Sequence, residues 1–348
     1  MTLRSLLACV ALTAVGCTRE PPPEPVAGLT RFEGATMGTT YAVTIVDELV
    51  EGDALSSAVQ AALDQVDASM STYDPDSELS RLNRAPASVW VEVSPELATV
   101  VAEALVVSAM TKGAFDVTVG PLVRLWGFGA GASSEPTPPS PETLATTRGV
   151  IGFDKVQVRQ DPPGLNKDVA GLELDLSGIA KGFAVDQVAH LLEARGFRRY
   201  LVEVGGEVRA SGTNASGEPW RIGIETPIPG ARGLQRTVGL NGHSMATSGD
   251  YRNFYEVDGV LFSHLIDPRQ QAPVAHRTAS VSVIHESCMR ADALASGLLV
   301  LGADKGLQLA AAEDLAVLFL VRGEDGSVEE RASPAFERHV RNVATMEP

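Results

Sequence analysis

Cysteine is scarce in this chain, with three among 348 residues, at Cys9, Cys17 and Cys288. A disulfide framework has too few members to form, so the folded part must be stable without cross-links. Basic charge is also short: 28 Lys and Arg face 44 Asp and Glu, a formal net charge of −16. An acidic field of that size repels phosphate backbones, and no compact Lys/Arg cluster offsets it, which argues against nucleic-acid binding. The six histidines show no HxH or HExxH spacing, so a histidine-built zinc site is poorly supported. There is no G-x-S-x-G elbow and no P-loop, and Gly127-Phe128-Gly129 lacks both the G-x-G-x-x-G pattern and its βαβ context. With hydrophobic residues at 44%, charged residues at 21% and a mean hydropathy of +0.06, the composition is that of a globular protein rather than a membrane bundle or a disordered chain. The length suffices for one large domain or two ordinary ones with a substantial core.

The chain opens MTLRSLLACVALTAVGC, in which Arg4 is a short basic region and Leu6 to Val15 an apolar stretch. That is a secretory signal, too short for a permanent membrane span. Ala14-Val15-Gly16-Cys17 resembles a bacterial lipobox, which predicts removal of residues 1–16 and lipidation of Cys17. An ordinary cleaved signal with an incidental cysteine is the other reading, and both readings put the protein outside the cytoplasm. Residues 17–29, with Pro21, Pro22, Pro23 and Pro25, form an extended linker, followed by the folded domain over 30–348. On this reading the protein is an exported lipoprotein anchored to a bacterial inner or outer membrane and facing the periplasm. Only Cys288 then remains, and SVIHESCMRADA makes it a buried small hydrophobe.

Alternation over Tyr41 to Asp47 predicts a half-buried strand, and apolar residues at helical spacing predict a helix over Ala54 to Met70. A second helix is expected from Pro95 to Lys112, capped by Ser94 and ended by Gly113. Residues 127–141 (GFGAGASSEPTPPSP) read as a long surface loop insertion. Strands are expected at Val156 to Arg159, Gly171 to Leu176 and Tyr200 to Val204, and helices at Ser177 to Arg195 and Arg290 to Leu301. The fold class expected is mixed α/β or α+β, one body with no internal repeat, possessing two lobes if the pattern divides at all.

Three local features can carry chemistry. Asp175 to Gly182 (DLSGIAKG) is a strand-to-helix turn in which Ser177 is placed to cap the helix; the N–H groups of a helix N-terminus together with Lys181 would cradle a diphosphate. A capped surface helix whose lysine faces water is the bland alternative. Asp292 and Ser296 stand four apart on one helical face, where oxygen ligands suit a hard cation, though such a pair is also common on a solvated face. SHLIDP, Ser263 to Pro268, puts His264 and Asp267 in an apolar strand, either as a proton acceptor near neutral pH or as a hydrogen-bonded core histidine.

Read in order, MGTTY (Met37 to Tyr41), STYDPDSELSRLN (Ser71 to Asn83), GAFDVTVGPL (Gly113 to Leu122), LDLSGIAKGFAVD (Leu174 to Asp186), VEVGGEVRASG (Val202 to Gly212), ATSGDYRNF (Ala246 to Phe254), SHLIDP and ADALAS (Ala291 to Ser296) resemble the ApbE family over roughly residues 30 to 320. The resemblance implies a bilobed body with an FAD site between the lobes. It implies a Mg2+-dependent FAD:protein FMN transferase, which splits FAD at the diphosphate, moves FMN onto a Thr or Ser hydroxyl of a target flavoprotein and releases AMP. By motif matching, Met37 and Tyr73 would pack near the flavin; Ala114, Phe115, Asp116, Asp175, Lys181 and Ile266 would line or contact FAD. The Gly178 carbonyl, Asp292 and Ser296 would hold the metal, and His264 would activate the acceptor hydroxyl. Thr247, Ser248 and Gly249 match a further pocket block without an assigned role.

Three positions depart from the family's usual residues. Gly178 stands where Ala is common, which leaves a carbonyl ligand intact, and Ser296 replaces Thr with the ligand oxygen retained. Ala295 occupies a position where some relatives carry Asp, so one carboxylate fewer is available to the metal. The implied acceptor is an exported or membrane redox protein with a D-x-x-[ST]-G-A-[ST]-like motif, which is not found in this chain. A Mg2+-dependent FAD pyrophosphatase, with water in place of the protein hydroxyl, and a non-catalytic FAD-binding lipoprotein are the alternatives.

Overall fold

The computed structural model describes residues 28–47, 52–129, 137–228, 233–250, 254–257 and 260–344. The expected signal, Cys17, nearly all of the linker and the middle of the 127–141 loop therefore lie outside the described residues. Among the described residues no helix is long and apolar enough to cross a membrane.

The described chain begins with hairpin strands β1 (Leu29–Thr36) and β2 (Thr39–Val46). Met37 and Gly38 join them with φ of 49° and 72°, the paired positive values that a two-residue hairpin turn uses to match strand twist. Then come helices α1 (Gly52–Met70) and α2 (Glu78–Arg84), strand β3 (Val91–Glu92), helices α3 (Pro95–Met110), α4 (Gly120–Leu125) and α5 (Pro141–Arg148), and strands β4 (Val156–Gln160) and β5 (Pro163–Lys167). Helix α6 (Ala180–Ala194) leads into β6 (Tyr200–Val204), β7 (Glu207–Ser211), β8 (Trp220–Glu225), β9 (Leu234–Leu240) and β10 (His243–Gly249). The last third holds β11 (Phe254–Val257), β12 (Val260–Ser263), β13 (Ile266–Asp267), β14 (Ala272–Pro273), β15 (Thr278–His285), α7 (Cys288–Leu301), α8 (Ala303–Ala312), β16 (Ala316–Arg322), β17 (Val328–Ala332) and α9 (Pro334–Ala344).

The main sheet runs β1-β2-β6-β7-β10-β15-β16-β17, and each neighbouring pair is antiparallel. Its hairpin connections make the class α+β rather than a parallel βαβ layer. Alternating side chains divide the sheet between two cores. Tyr41, Val43, Val202, Val204, Val281, Val283, Val317 and Phe319 pack with Leu63, Val188 and Leu294 of α1, α6 and α7. From the other face, Val208, Met245, Ile284, Leu318 and Leu320 meet Trp220 and Val238 of the β8–β9 hairpin and Phe336 of α9. β15 is buried along nearly its whole length because it is covered on both sides. A smaller cluster of Leu122, Trp126, Ile151 and Ile266 stands apart from the main body.

Two expectations need correction. Gly171 to Leu176 is not a strand. Its backbone partners come from elsewhere: Asn83 Nδ2 donates to the Leu174 carbonyl at 2.9 Å, the Leu174 N–H donates to Asn83 Oδ1 at 2.8 Å, and the Asp175 N–H donates to the Val117 carbonyl at 2.7 Å. One asparagine amide thus replaces a ladder, which alternation in the sequence does not reveal. Ser177 does not cap the following helix either, since α6 starts at Ala180 with Ile179 as its half-in residue and no local side-chain cap.

Candidate active site

Helix α7 is buried on most sides, and its small residues let α6 approach closely. A Cβ added at Gly182 would lie 2.3 Å from the Cys288 carbonyl oxygen and 2.8 Å from Asp292 Cβ, so only glycine fits the crossing. Asp186, one position before the middle of α6, fixes the same crossing. Its carboxylate accepts from the Cys288 N–H (3.1 Å), the Met289 N–H (3.0 Å), Ser287 Oγ (2.9 Å) and Arg209 Nη1 (2.8 Å). A carboxylate on the first N–H groups of α7 satisfies orphan donors and complements the helix dipole. These contacts set where Asp292 and Ser296, one and two turns further on, project. Cys288 is fully buried and free, and burial pushes its thiol well up, as suits a packing residue.

Asp292 and Ser296 project into a cavity of about 980 Å³ between the main body and the smaller cluster. Its walls include Val119, Val123 and Ile266 on the side of the small cluster, and Gly205, Glu207, Ser248 and Asp292 on the side of the sheet and helices. The size stands at the upper end for small-molecule sites, at roughly 1,000 Å³.

At its floor is a charged cluster. Lys181 Nζ lies 3.2 Å from Glu207 Oε1 and 3.5 Å from Asp292 Oδ1, with the two carboxyl side chains 5% and 2% exposed. The other Asp292 oxygen, Oδ2, accepts from the Gly182 N–H at 3.0 Å. The cap of α6 therefore comes from α7, not from Ser177, and it takes one of the N–H groups expected to cradle a phosphate. Burial, then Asp292, push the Glu207 carboxyl up to about 8 against the opposing pull of Lys181. Burial favours a neutral Lys181, but the carboxyl groups of Asp292 and Glu207 outweigh it and hold the ammonium charged.

Ser296 Oγ stands 3.1 Å from Ser248 Oγ of β10, and a Cβ at Gly178 would lie 3.2 Å from Ser296 Oγ. The structure thus brings Gly178, Asp292 and Ser296 together on the cavity wall. Their donor set is all oxygen, a chemistry that fits a hard cation such as Mg2+. Among the described residues no three His, Cys, Asp or Glu gather at one metal-binding spot, so such a cation would keep waters or substrate oxygens as further ligands.

The remaining expected residues divide. Tyr73, Ala114, Phe115, Asp116, Asp175, His264 and Ile266 line the same cavity, as do Thr247, Ser248 and Gly249. Tyr73 is 74% exposed, an uncovered ring at the cavity, while Ala114, Phe115 and Ile266 are buried. Met37 is not among the lining residues; it sits in the β1–β2 turn and packs against the main core. Asp116 lines the wall, yet its carboxylate is committed to the protein. Oδ1 accepts from the Thr118 N–H (2.8 Å) and Thr118 Oγ1 (2.7 Å), and Oδ2 from the Phe153 N–H (3.0 Å). Burial raises its pKa although those hydrogen bonds oppose the rise. Asp175 Oδ1 accepts from the Ser177 N–H at 2.9 Å, which shapes the turn before α6.

His264 lies in the bend between β12 and β13 rather than within a strand, with its ring edge-on to Phe128 at 6.2 Å between centroids. Phe128 and its neighbours Gly127 and Gly129, the start of the predicted loop insertion, also line the cavity. Asp267 turns to Arg269, whose Nε and Nη2 donate at 2.8 and 2.7 Å. Burial raises the Asp267 pKa, but hydrogen bonds from Arg269 and Gln270 win and hold it low. Sequence reasoning passed over Glu207 and Asp186, both inside quoted motifs. The signal for each was a carboxylate at an otherwise apolar, inward-facing position, in VEVGGEVRA and in KGFAVDQVAH.

The ApbE family model matches residues 37–319. The chain belongs to the ApbE family. A relative named FAD:protein FMN transferase, from Vibrio cholerae, is 42% identical over 339 residues, covering 96% of this chain and 98% of the relative. One of the same name from Haemophilus influenzae is 41% identical, with 94% and 95% covered. Among solved structures, the flavin transferase ApbE from Vibrio cholerae superposes with a TM-score of 0.82 at 41% identity, covering 89% of this chain and 99% of that one. The apo flavinyl transferase ApbE of Pseudomonas stutzeri gives 0.82 at 40% identity over 90% and 96%. The ApbE body matches along nearly its whole length, so the cavity belongs to the shared fold rather than to an added domain.

Proposed function

We propose that this protein is an FAD:protein FMN transferase, taking FMN from FAD and attaching it to a target protein. The observation that carries the reading is the meeting of Lys181, Asp292, Ser296 and Gly178 on one wall of a cavity that His264 also lines, in a chain about 40% identical to proteins of that name. In finer terms, the acceptor group is a Thr or Ser hydroxyl, the other product is AMP, and the reaction requires Mg2+ held by the Gly178 carbonyl, Asp292 and Ser296. Bound there, the cation would polarise the diphosphate and offset its charge.

The chain's own groups supply the rest. Lys181 places a full positive charge beside the position of the diphosphate, where it stabilises the negative charge that grows on the departing AMP phosphate. His264 takes the proton from the acceptor hydroxyl, which is a weak nucleophile without a base. Its place in a half-buried bend, edge-on to Phe128, holds the ring while leaving it on the cavity. Tyr73 offers an exposed ring for stacking on the isoalloxazine. Asp116 and Asp175, whose carboxylates are tied to nearby N–H groups, shape the wall that FAD lies against.

We further propose residues 1–16 as a signal, Cys17 as a lipid anchor, residues 17–29 as a spacer and an exported redox protein with the D-x-x-[ST]-G-A-[ST]-like motif as the acceptor. Fatty-acid labelling that disappears in Cys17→Ala tests the anchor. For the reaction, protein lacking residues 1–16 is incubated with FAD, Mg2+ and a peptide bearing the acceptor motif, and the peptide is weighed by mass spectrometry. An FMN adduct that requires Mg2+ supports transfer. FMN and AMP without an adduct would instead show a pyrophosphatase, and intact bound FAD a carrier.

A further inference from the structure

The two oxygens of Asp292 are not equivalent. Oδ2 is engaged by the Gly182 N–H at 3.0 Å, so Oδ1 is the oxygen left to meet a cation, and Oδ1 is the one that faces Lys181 Nζ at 3.5 Å. An ammonium drawn fully onto Oδ1 would occupy its lone pairs and set positive charge against positive charge. The nearer partner of Nζ is Glu207 Oε1, at 3.2 Å. Glu207 enters from β7 directly after the Gly205-Gly206 turn, is 4% exposed and lines the cavity. Its second oxygen, Oε2, is buried and has no hydrogen-bond partner. A buried carboxyl oxygen without a partner is costly to the fold, so packing alone does not account for a glutamate here.

We propose that Glu207 is a positioning residue that holds the Lys181 ammonium off Asp292, leaving Oδ1 open to the metal. The inference rests on the metal reading of Gly178, Asp292 and Ser296 given above, and it assigns Glu207 no contact with the metal. Glu207 acts only through Lys181, which makes the claim separable from direct ligation. It also accounts for how one carboxylate can serve a site in which Ala295 contributes none. Two carboxyl groups share one ammonium, and the one with no metal to bind takes the larger share of it.

The test is metal binding to the FAD-free protein, with Mn2+ as the probe and loss of the free-ion electron paramagnetic resonance signal as the readout. Glu207→Leu is expected to weaken Mn2+ binding by about tenfold or more, the usual effect of losing a group that orients a ligand. Glu207→Gln, which keeps an acceptor oxygen for Lys181, is expected to retain most of the affinity and guards against misfolding of the Leu variant. In a Lys181→Met background, Glu207→Leu is expected to change nothing. Unchanged binding in Glu207→Leu alone would overturn the proposal, and so would an equal loss in both backgrounds, which would make Glu207 a ligand. Wild-type protein that binds no Mn2+ would overturn the metal reading itself and this inference with it.

Discussion

Two buried carboxylate clusters lie on either side of the α6–α7 crossing, each pairing carboxyl groups with a basic side chain and each put to a different use. Asp186 faces Arg209, Ser287 and the first N–H groups of α7, and both of its oxygens are filled by donors between 2.8 and 3.1 Å. Lys181, Glu207 and Asp292 are just as enclosed on the protein side, but the contacts to the lysine are longer, at 3.2 and 3.5 Å, and Glu207 Oε2 has no partner. The first cluster is complete without a ligand and fixes the helices. The second is incomplete and opens on the cavity, as a site must if the substrate and its metal are to supply the missing contacts. Burial of charge does not distinguish them; the state of the last lone pair does.

The largest effect should come from breaking the complete cluster. Asp186→Ala leaves the Arg209 guanidinium with only Glu193, at 3.2 Å, and the first N–H groups of α7 without their acceptor, and urea denaturation is expected to show a loss of about 3 to 5 kcal/mol. His264→Ala should do the reverse, cutting turnover by about 10²- to 10⁴-fold, as expected for removal of a general base, while the urea midpoint stays in place. A variant that lost stability but not turnover would place His264 with the structural residues. Gly182→Ala comes next. The added methyl meets the Cys288 carbonyl and Asp292 Cβ, so a cost of about 1 to 3 kcal/mol is expected together with weaker metal binding, because both clusters ride on that crossing.

Measured per pH unit, the smallest effect is that of pH. The Glu207 carboxyl, pushed up to about 8 from an ordinary 4.5, binds its proton more tightly in the folded, metal-free protein than in the unfolded chain. Its contribution to stability is therefore complete below about 4.5 and is lost as pH rises through 8. Thermal melts of metal-free protein from pH 5 to pH 9 should fall more steeply for wild type than for Glu207→Gln, by less than about 1.4 kcal/mol per unit. Parallel curves would show that Glu207 does not titrate in this window.

Much of the architecture was legible because it rests on local pattern. The helices over α1, α3 and α7 and the strands β2 and β6 follow from apolar spacing that matches one buried face, and Ser94 caps α3 as expected, accepting from the Leu97 N–H at 3.2 Å. What could not be read depends on residues far apart in sequence. Asn83 supplies the backbone partners of Leu174 across 91 positions, which turns an apparent strand into an irregular segment. Asp292 caps α6 across 110 positions, displacing Ser177 from that role. The antiparallel order of the sheet is likewise set by pairings such as β2 with β6, which no local signal encodes. At the site, motif matching located the residues that gather in the cavity, except Met37, whose hairpin turn packs against the core instead. It could not distinguish Asp116, whose carboxylate takes three hydrogen bonds from Thr118 and Phe153, from Asp292, whose Oδ1 meets only the Lys181 ammonium at 3.5 Å, because the fold and not the local sequence sets those partners.

The most direct test of the incomplete cluster as the transfer site is a side-by-side assay of Asp292→Asn and Asp186→Asn, scaled to the folded fraction of each. Intact-mass spectrometry of an acceptor peptide with FAD and Mg2+ should show the FMN adduct lost with Asp292→Asn and retained with Asp186→Asn. An adduct formed at the wild-type rate by Asp292→Asn would contradict the account.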